Sequence, residues 1–180
     1  LLQEILFIKD GPLAFFGPTL NMQRPMRSLI QYLFDNHDFY LAGLEKSGSF
    51  VEHADEIAEE LDKGVVLIMD NDYISRCILP GIGKLSRPYG SSTYYSHKLI
   101  FKAFDGSMYV ASLPVSRLKS FPRTVDFRNL RIILTNIEKL KCDMYDNALV
   151  PVAMINQLVS LSSHPGSRIL QRFAADSMLS

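Results

Sequence analysis

The stretch "FYLAGLEKSGSFVEHADEIAEELDKGVVLIM", residues 39–69, sets the fold class of this chain. Its first eight residues form a nearly continuous apolar run, which predicts a short strand. The segment "SGSFVEHADEIAEELDKG" predicts a helix, with Ser47 or Ser49 as the N-cap and Glu52 placed for a capping box. The run "VVLIM" (65–69) is uncharged and β-branched and predicts a fully buried strand. A strand, a helix and a second strand in this order indicate an α/β fold.

Upstream of this stretch, two β-rich runs predict a hairpin. They are "EILFI" (4–8) and "LAFF" (13–16), and the turn residues "KDGP" lie between them. A helix is predicted from Pro25, because the apolar residues that follow it repeat at helical spacing: Met26, Leu29, Ile30 and Leu33. The order of hairpin, helix, strand, helix, strand predicts a mixed sheet in which some strands are parallel.

Downstream, residues 74–96 begin as a short helix and then become rich in Gly, Pro, Ser and Tyr. A connector of this length is typical of a functional loop. The runs "HKLIFKAF" and "SMYVASL" are joined by Asp105-Gly106 and predict a second hairpin. From about Val125 the pattern is helical, in "FRNLRIILTNIEKLK", "ALVPVAMINQLVSLS" and "GSRILQRFAADSM". We expect one domain over residues 1–180.

Composition excludes a strongly basic nucleic-acid binder. The chain has 19 Lys and Arg against 19 Asp and Glu, so its formal net charge is zero and any nucleic-acid contact needs a local basic cluster. Cys77 and Cys142 lack metal-ligand spacing and suit free thiols in a reducing compartment, although the sequence leaves one disulfide open. With no apolar run of membrane-spanning length and no signal peptide, we expect a cytoplasmic protein.

Acidic residues follow three of the predicted strands. Asp10 follows "LFIK", Glu45 follows "LAGL", and Asp70 and Asp72 follow "VVLIM". Sites in open α/β sheets form where the carboxyl ends of strands meet. Carboxylates that converge there suit Mg²⁺ or Mn²⁺, which take oxygen ligands. The ordinary alternative for each residue alone is a helix cap or a turn former.

The segment "YGSSTYYSH" places Tyr89 eight residues before His97, which opens a strand. A histidine in this position can be a metal ligand or a general base near neutral pH. The alternative is a partly exposed histidine at the edge of a strand. The sequence therefore leaves two interpretations of His97 open.

Basic and aromatic residues interleave in the same region and in the loop after it. Such a combination suits single-stranded nucleic acid, because lysine and arginine contact phosphates and aromatic rings stack on bases. A normally charged, solvated surface explains the pattern equally well. The residues are Lys84, Arg87, Tyr89, Tyr94, Tyr95, Lys98, Lys102, Arg117, Lys119, Phe121 and Arg123.

Four segments in order resemble the NurA family of DNA-repair nucleases. They are "EILFIKDGPLAFFG", "YLAGLEKSGSFVEHADEI", "VVLIMDNDYI" and "YGSSTYYSHKLIFKAFDGSMYVASLPV". The resemblance spans roughly residues 3–115, and "ALVPVAMINQLVSLS" is similar to a closing helix of the family. It implies a ribonuclease-H-like mixed sheet flanked by helices, and Mn²⁺-dependent cleavage of single-stranded DNA and of DNA ends in double-strand break repair. It also implies a homodimer that works beside the hexameric ATPase HerA.

The resemblance assigns roles to individual residues. The family's strand-end aspartate, in its Asp-Gly motif, falls on Asp10, and the family's Tyr and His pair falls on Tyr89 and His97. Asp10 and His97 are thereby implied metal ligands for Mn²⁺ or Mg²⁺, and Tyr89 is an implied catalytic-site residue that orients a phosphate or water. Lys46 matches a position that meets the DNA backbone, and we add Lys98 and Tyr95 as nucleic-acid contacts from the basic and aromatic cluster.

The chain also departs from the family pattern. The family's first catalytic aspartate and a following glutamate precede the Asp-Gly motif on earlier segments and have no counterpart here, and Pro12 stands where Ser or Thr is usual. The chain begins at Leu1 on an apolar pattern, so we expect the C-terminal portion of a NurA domain that lacks its N-terminal strands. Two alternatives stay open: a catalytically silent scaffold that docks a HerA-like ATPase, and a nucleic-acid-binding module without hydrolysis.

Overall fold

The computed structural model describes residues 5–14, 21–37, 39–81, 96–114, 127–142 and 148–163. The chain divides into two compact units, Leu1–Lys139 and Leu140–Ser180. The first unit contains the sheet and most of the described helices. The second contains the last described helix, preceded by a single bridge between Lys141 and Leu149.

The described strands form one mixed sheet with the order β1-β2-β5-β4-β3. Strands β1 and β2 are parallel, and every other neighbouring pair is antiparallel. The carboxyl ends of β1 and β2 therefore lie at the same end of the sheet, whereas β3 runs in the opposite direction. The strands are β1 (Ile5–Asp10), β2 (Phe39–Glu45), β3 (Val66–Met69), β4 (Ser96–Lys102) and β5 (Met108–Pro114).

Helices connect the strands and follow them. Helix α3 is short and continues directly into a π-helical turn, Ile74–Ile78. None of the helices in the described ranges is long and apolar enough to cross a membrane. The helices are α1 (Gln23–Asn36), α2 (Ser49–Glu56), α3 (Asn71–Tyr73), α4 (Phe127–Leu140) and α5 (Val150–Ser163).

Side chains alternate between the two faces of the sheet, and the strand register shows which residues share a face. Lys98 is paired with Ser112, which is paired with Gly43, so these residues share what we call the Lys98 face. The apolar core on this face joins the sheet to α2 and to the segment after β3. Its buried residues are Phe50, Val51, Ala54, Met69, Ile74, Ile78, Ile100, Met108 and Val110.

The structure confirms the mixed α/β class and most of the predicted elements. The strand after residue 38, the helix after Pro25, the second hairpin and the first two C-terminal helices are all present. Gly106 closes the hairpin with a φ of 104°, which favours glycine. The third predicted C-terminal helix lies outside the described residues.

Three local predictions are wrong. In the described residues β1 pairs with β2, and Leu13 lies over Gly43 of β2, so Leu13 does not pair with β1 as the predicted hairpin requires; residues 15 and 16 of that predicted strand lie outside the described residues. Helix α2 begins after Gly48, which has a φ of 98°, and no side chain of a serine caps it. Strand β3 is partly exposed because it is an edge strand, not a fully buried one.

Candidate functional site

The carboxyl ends of the two parallel strands bring Asp10 and Lys46 together. Asp10 is the last residue of β1, and Lys46 directly follows β2. The Lys46 Nζ lies 2.9 Å from Asp10 Oδ1, and the side chains are 29% and 43% exposed. Two of the sequence-predicted site residues thus form an accessible ion pair at the edge of the sheet.

The backbone beneath Asp10 is held by a close approach between the two strands. The Gly11 N–H donates to the carbonyl of Leu44 at 2.6 Å. A Cβ at Gly43 would lie 2.6 Å from the Gly11 carbonyl oxygen and 2.8 Å from the Leu13 nitrogen. Only glycine fits at position 43, and this lets the segment after Asp10 cross directly over β2. Asp10 pairs with Leu44 and lies immediately before that crossing.

Glu45, the last residue of β2, forms a buried ion pair with Lys98 of β4. Oε1 of Glu45 accepts hydrogen bonds from Lys98 Nζ and, at 3.2 Å, from the Ser112 hydroxyl of β5. The three residues are 8%, 5% and 0% exposed. One carboxylate therefore ties the end of β2 to its neighbour β5 and, across β5, to β4.

The surroundings of Lys98 shift its protonation equilibrium. Burial lowers the pKa of the Lys98 ammonium, the negative charge of Glu45 opposes this, and the positive charge of Lys9 adds to the lowering. The ammonium also lies 4.7 Å from the centre of the Phe50 ring, a cation–π contact. A buried, paired ammonium is not presented to solvent. The prediction that Lys98 contacts nucleic acid does not agree with this position.

The register places Asp10 and His97 on the same face of the sheet but on different parts of it. Asp10 is level with Leu44 and Ala111, and His97 is paired with Leu113. Strands β2 and β5 lie between them. Three spacings of about 4.8 Å between strands, combined with an offset of two residues along them, separate the two backbones by about 16 Å. The structure does not bring Asp10 and His97 together as ligands of one cation.

The acidic residues after β3 lie elsewhere. Strand β3 is at the opposite edge from β1, and its carboxyl end points the other way. The Asp70 carboxylate accepts from the Tyr73 N–H at 2.7 Å and caps α3, which is the ordinary alternative for this residue. Asp72 lies in the first turn of the same helix. Neither shares a site with Asp10.

The remaining predicted residues lie outside the described part of the chain. Tyr89 and Tyr95 both fall between residues 82 and 95, of which nothing structural is stated.

The described residues do not form a complete metal site. No three His, Cys, Asp or Glu side chains among them come together as a group that could hold a metal ion. Asp10 could supply one oxygen ligand at the rim, whereas Glu45 is engaged with Lys98. The donor set present does not fit a two-metal centre, which needs several carboxylates.

Sequence reasoning missed Ser112 and the pairing of Glu45 with Lys98. The two charged residues are 53 positions apart, so no local spacing connects them. One signal was available for two of the residues, because Glu45 ends an apolar strand and Ser112 interrupts another, whereas Lys98 follows the polar Ser96 and His97. Polar residues in such positions need a buried partner.

Comparisons with protein-family models, with curated proteins and with solved structures find no match to this chain.

Proposed function

We propose that this chain is part of a NurA-type nuclease domain with a ribonuclease-H-like core. The intact protein would cleave single-stranded DNA or resect DNA ends in double-strand break repair, with Mn²⁺ or Mg²⁺ as cofactor. The observation that carries the proposal is the ordered set of four family-like segments, together with an accessible carboxylate, Asp10, at the carboxyl end of β1. Sites in α/β sheets are expected at such ends.

The proposal gives the described residues limited roles. Asp10 supplies one oxygen ligand, and Lys46 holds that carboxylate in place and offers a positive charge to a DNA phosphate. His97 and Tyr89 are site residues by resemblance alone, and His97 is not a co-ligand of the cation at Asp10. The other carboxylates would come from outside the described residues, so no catalytic step is assigned through the metal.

Partners and location belong to the same proposal. A homodimer beside a HerA-like hexameric ATPase follows from the resemblance alone. A cytoplasmic location is supported by the two cysteines, Cys77 and Cys142, which are both free thiols.

The test is Mn²⁺-dependent cleavage of single-stranded DNA by the full-length protein. We expect Asp10→Asn to lower the rate by at least about 100-fold, because charge placed at the reacting phosphate contributes effects of that size. Asp62→Asn changes an exposed aspartate elsewhere and should leave the rate unchanged. Wild-type cleavage by the Asp10→Asn variant would exclude this proposal.

A second candidate function is a catalytically silent scaffold that docks a HerA-like ATPase. It is favoured by one observation: the carboxylates of Asp10 and Glu45 each form an ion pair with a lysine. Calorimetric titration of the full-length protein with Mn²⁺ separates the two candidates. No Mn²⁺ binding together with intact ATPase binding supports the scaffold, and Mn²⁺ binding that Asp10→Asn abolishes supports the nuclease.

The nucleic-acid-binding module without hydrolysis is the remaining alternative. Salt-dependent binding of single-stranded DNA by a protein that never cleaves it would support this alternative.

A further inference from the structure

The two ion pairs of the candidate site are joined through consecutive residues of one strand end. Glu45 ends β2 with its side chain buried against Lys98, and Lys46 follows with its ammonium on Asp10. The Gly11 N–H donates to the Leu44 carbonyl, which ties the end of β1 to the end of β2. A continuous line of contacts therefore runs from the interior of β4 to the exposed carboxylate of Asp10.

The buried pair, Glu45 with Lys98, is formed across strand β5, which lies between the two residues. Lys98 and Ser112 are directly paired between β4 and β5, and both donate to the same oxygen of Glu45. Glu45 itself lies on the far side of β5 from Lys98. The carboxyl end of β2 is thus held by side chains on two neighbouring strands, in addition to its backbone hydrogen bonds.

We propose that Lys98 is a positioning residue for the candidate site: its ammonium anchors Glu45, the anchored end of β2 places Lys46, and Lys46 places Asp10. The role of Asp10 in catalysis rests on the proposed function, whereas the mechanical coupling does not. Without the ammonium, the Glu45 carboxylate would be buried with its charge uncompensated, and it would turn toward water or take up a proton. Either change releases the end of β2.

Strand β4 supplies a matched control for this inference. Lys102 lies on the same face of β4 as the buried Lys98 and is itself partly buried, but its Nζ donates to the carbonyls of Ala58 and Leu61 at 2.6 and 2.8 Å. It contacts neither Glu45 nor Ser112. Lys102→Met therefore removes a partly buried ammonium from the same strand without touching the end of β2.

The test is amide hydrogen exchange of Gly11 in the full-length protein, measured relative to the amide of Ile100 in the sheet interior. We expect Lys98→Met to accelerate the exchange of the Gly11 amide by at least about tenfold relative to that of Ile100, because the end of β2 is no longer anchored and opens locally. Global unfolding exposes both amides, so the ratio of the two exchange rates reports local opening alone. Lys102→Met should leave that ratio unchanged. Equal ratios in the wild type and the Lys98→Met variant would overturn the inference.

The double variant Glu45→Gln, Lys98→Met controls for the possibility that Lys98→Met acts only by destabilising the fold. It leaves no buried charge without a partner, so it should fold with near wild-type stability. If Lys98 positions the carboxyl end of β2, the Gly11 amide still exchanges fast in the double variant although its global stability is restored. A return of Gly11 exchange to the wild-type rate would mean that the ion pair only avoids a buried charge, and the inference would fail.

Cleavage assays then separate this inference from the proposed function. In an active protein, Lys98→Met should lower kcat by about tenfold with KM within about twofold, because a misplaced group weakens the transition state more than substrate binding. If the wild type does not cleave DNA, the proposed function fails, and the exchange experiment still decides whether Lys98 positions Asp10.

Discussion

At the scale of single residues, the two ion pairs of the site contribute very differently to stability. An exposed pair such as Asp10 with Lys46 typically contributes about 0–1 kcal/mol, because water screens both charges. Removing one partner of a buried pair such as Glu45 with Lys98 typically costs about 3–5 kcal/mol. Asp10 and Lys46 can therefore separate at little cost to bind a ligand, whereas Glu45 and Lys98 cannot.

The first prediction concerns the pH dependence of stability through Lys98. Its pKa lies below 10.5 in the folded protein, chiefly because of burial. Between the lowered pKa and 10.5, the unfolded chain binds more protons at this residue, so its contribution to the free energy of unfolding rises with pH. The free energy of unfolding of the wild type minus that of Lys98→Met should therefore grow as the pH rises toward 10.5 in urea titrations. A difference that falls over this range contradicts the assignment.

The second prediction concerns Gly43, where a side chain would meet backbone atoms of Gly11 and Leu13. Gly43→Ala should lower the free energy of unfolding by about 1–3 kcal/mol, the usual cost of overpacking. Gly81→Ala is the matched control, since a Cβ there has no atom of the described residues within 4 Å, and it should change stability by less than about 0.5 kcal/mol. Equal denaturant midpoints for the two variants would show that the crossing over β2 adapts to a side chain.

The residues of the candidate site could be predicted only one at a time. Asp10 was found because it ends a predicted strand, which is a local feature, and Lys46 was named only through the resemblance to the NurA family. Lys98 was misassigned to the surface because its neighbours in sequence include Tyr95 and His97, whereas its neighbour in space is Glu45. Whether a charged residue is buried depends on which strands are adjacent in the sheet, and the strand order cannot be predicted from a single sequence.

At the scale of elements, Lys102 links the second hairpin to the end of α2. Its Nζ donates to two carbonyls in the turn that follows this helix, Ala58 and Leu61. The third prediction is that Lys102→Met lowers the free energy of unfolding by about 1.5–3 kcal/mol, since hydrogen bonds from charged donors are lost and carbonyls are left partly buried. Lys63→Met changes an exposed lysine nearby and should be nearly neutral in the same urea titration. Similar losses in both variants would contradict a specific role for Lys102.

The elements that were predicted correctly are those whose signals are local. The β4–β5 hairpin follows from Asp105-Gly106 between two β-rich runs, and Gly106 has the positive φ that such a turn requires. The first hairpin failed although "KDGP" has the same turn chemistry. There the Asp-Gly-Pro segment carries the chain across β2, because Gly43 leaves room for Leu13. Turn residues predict that the chain changes direction, but they do not predict which strand the following segment packs against.

At the scale of the whole molecule, strand order decides which candidate residues meet. The β4–β5 hairpin inserts between β2 and β3, so strands distant in sequence become neighbours. This insertion brings Lys98 to Glu45 and at the same time separates His97 and Asp70 from Asp10. The sequence supplied the elements and three acidic strand ends, but the expected convergence needed parallel strands, and β3 runs antiparallel to its neighbour.

The balanced charge of the chain makes the fourth prediction specific to Lys46. With a formal net charge of zero over these 180 residues, no strong overall field of this part of the protein attracts DNA, so its contribution to binding would depend on local phosphate contacts. Each phosphate contact on a single strand contributes about 0.7 to the slope of log affinity against log salt. Lys46→Gln should therefore reduce this slope by about 0.7 in titrations of single-stranded DNA. Lys63→Gln, before the opposite edge strand, should not change it, and a reduction in the Lys63 variant alone would place the DNA path away from Asp10.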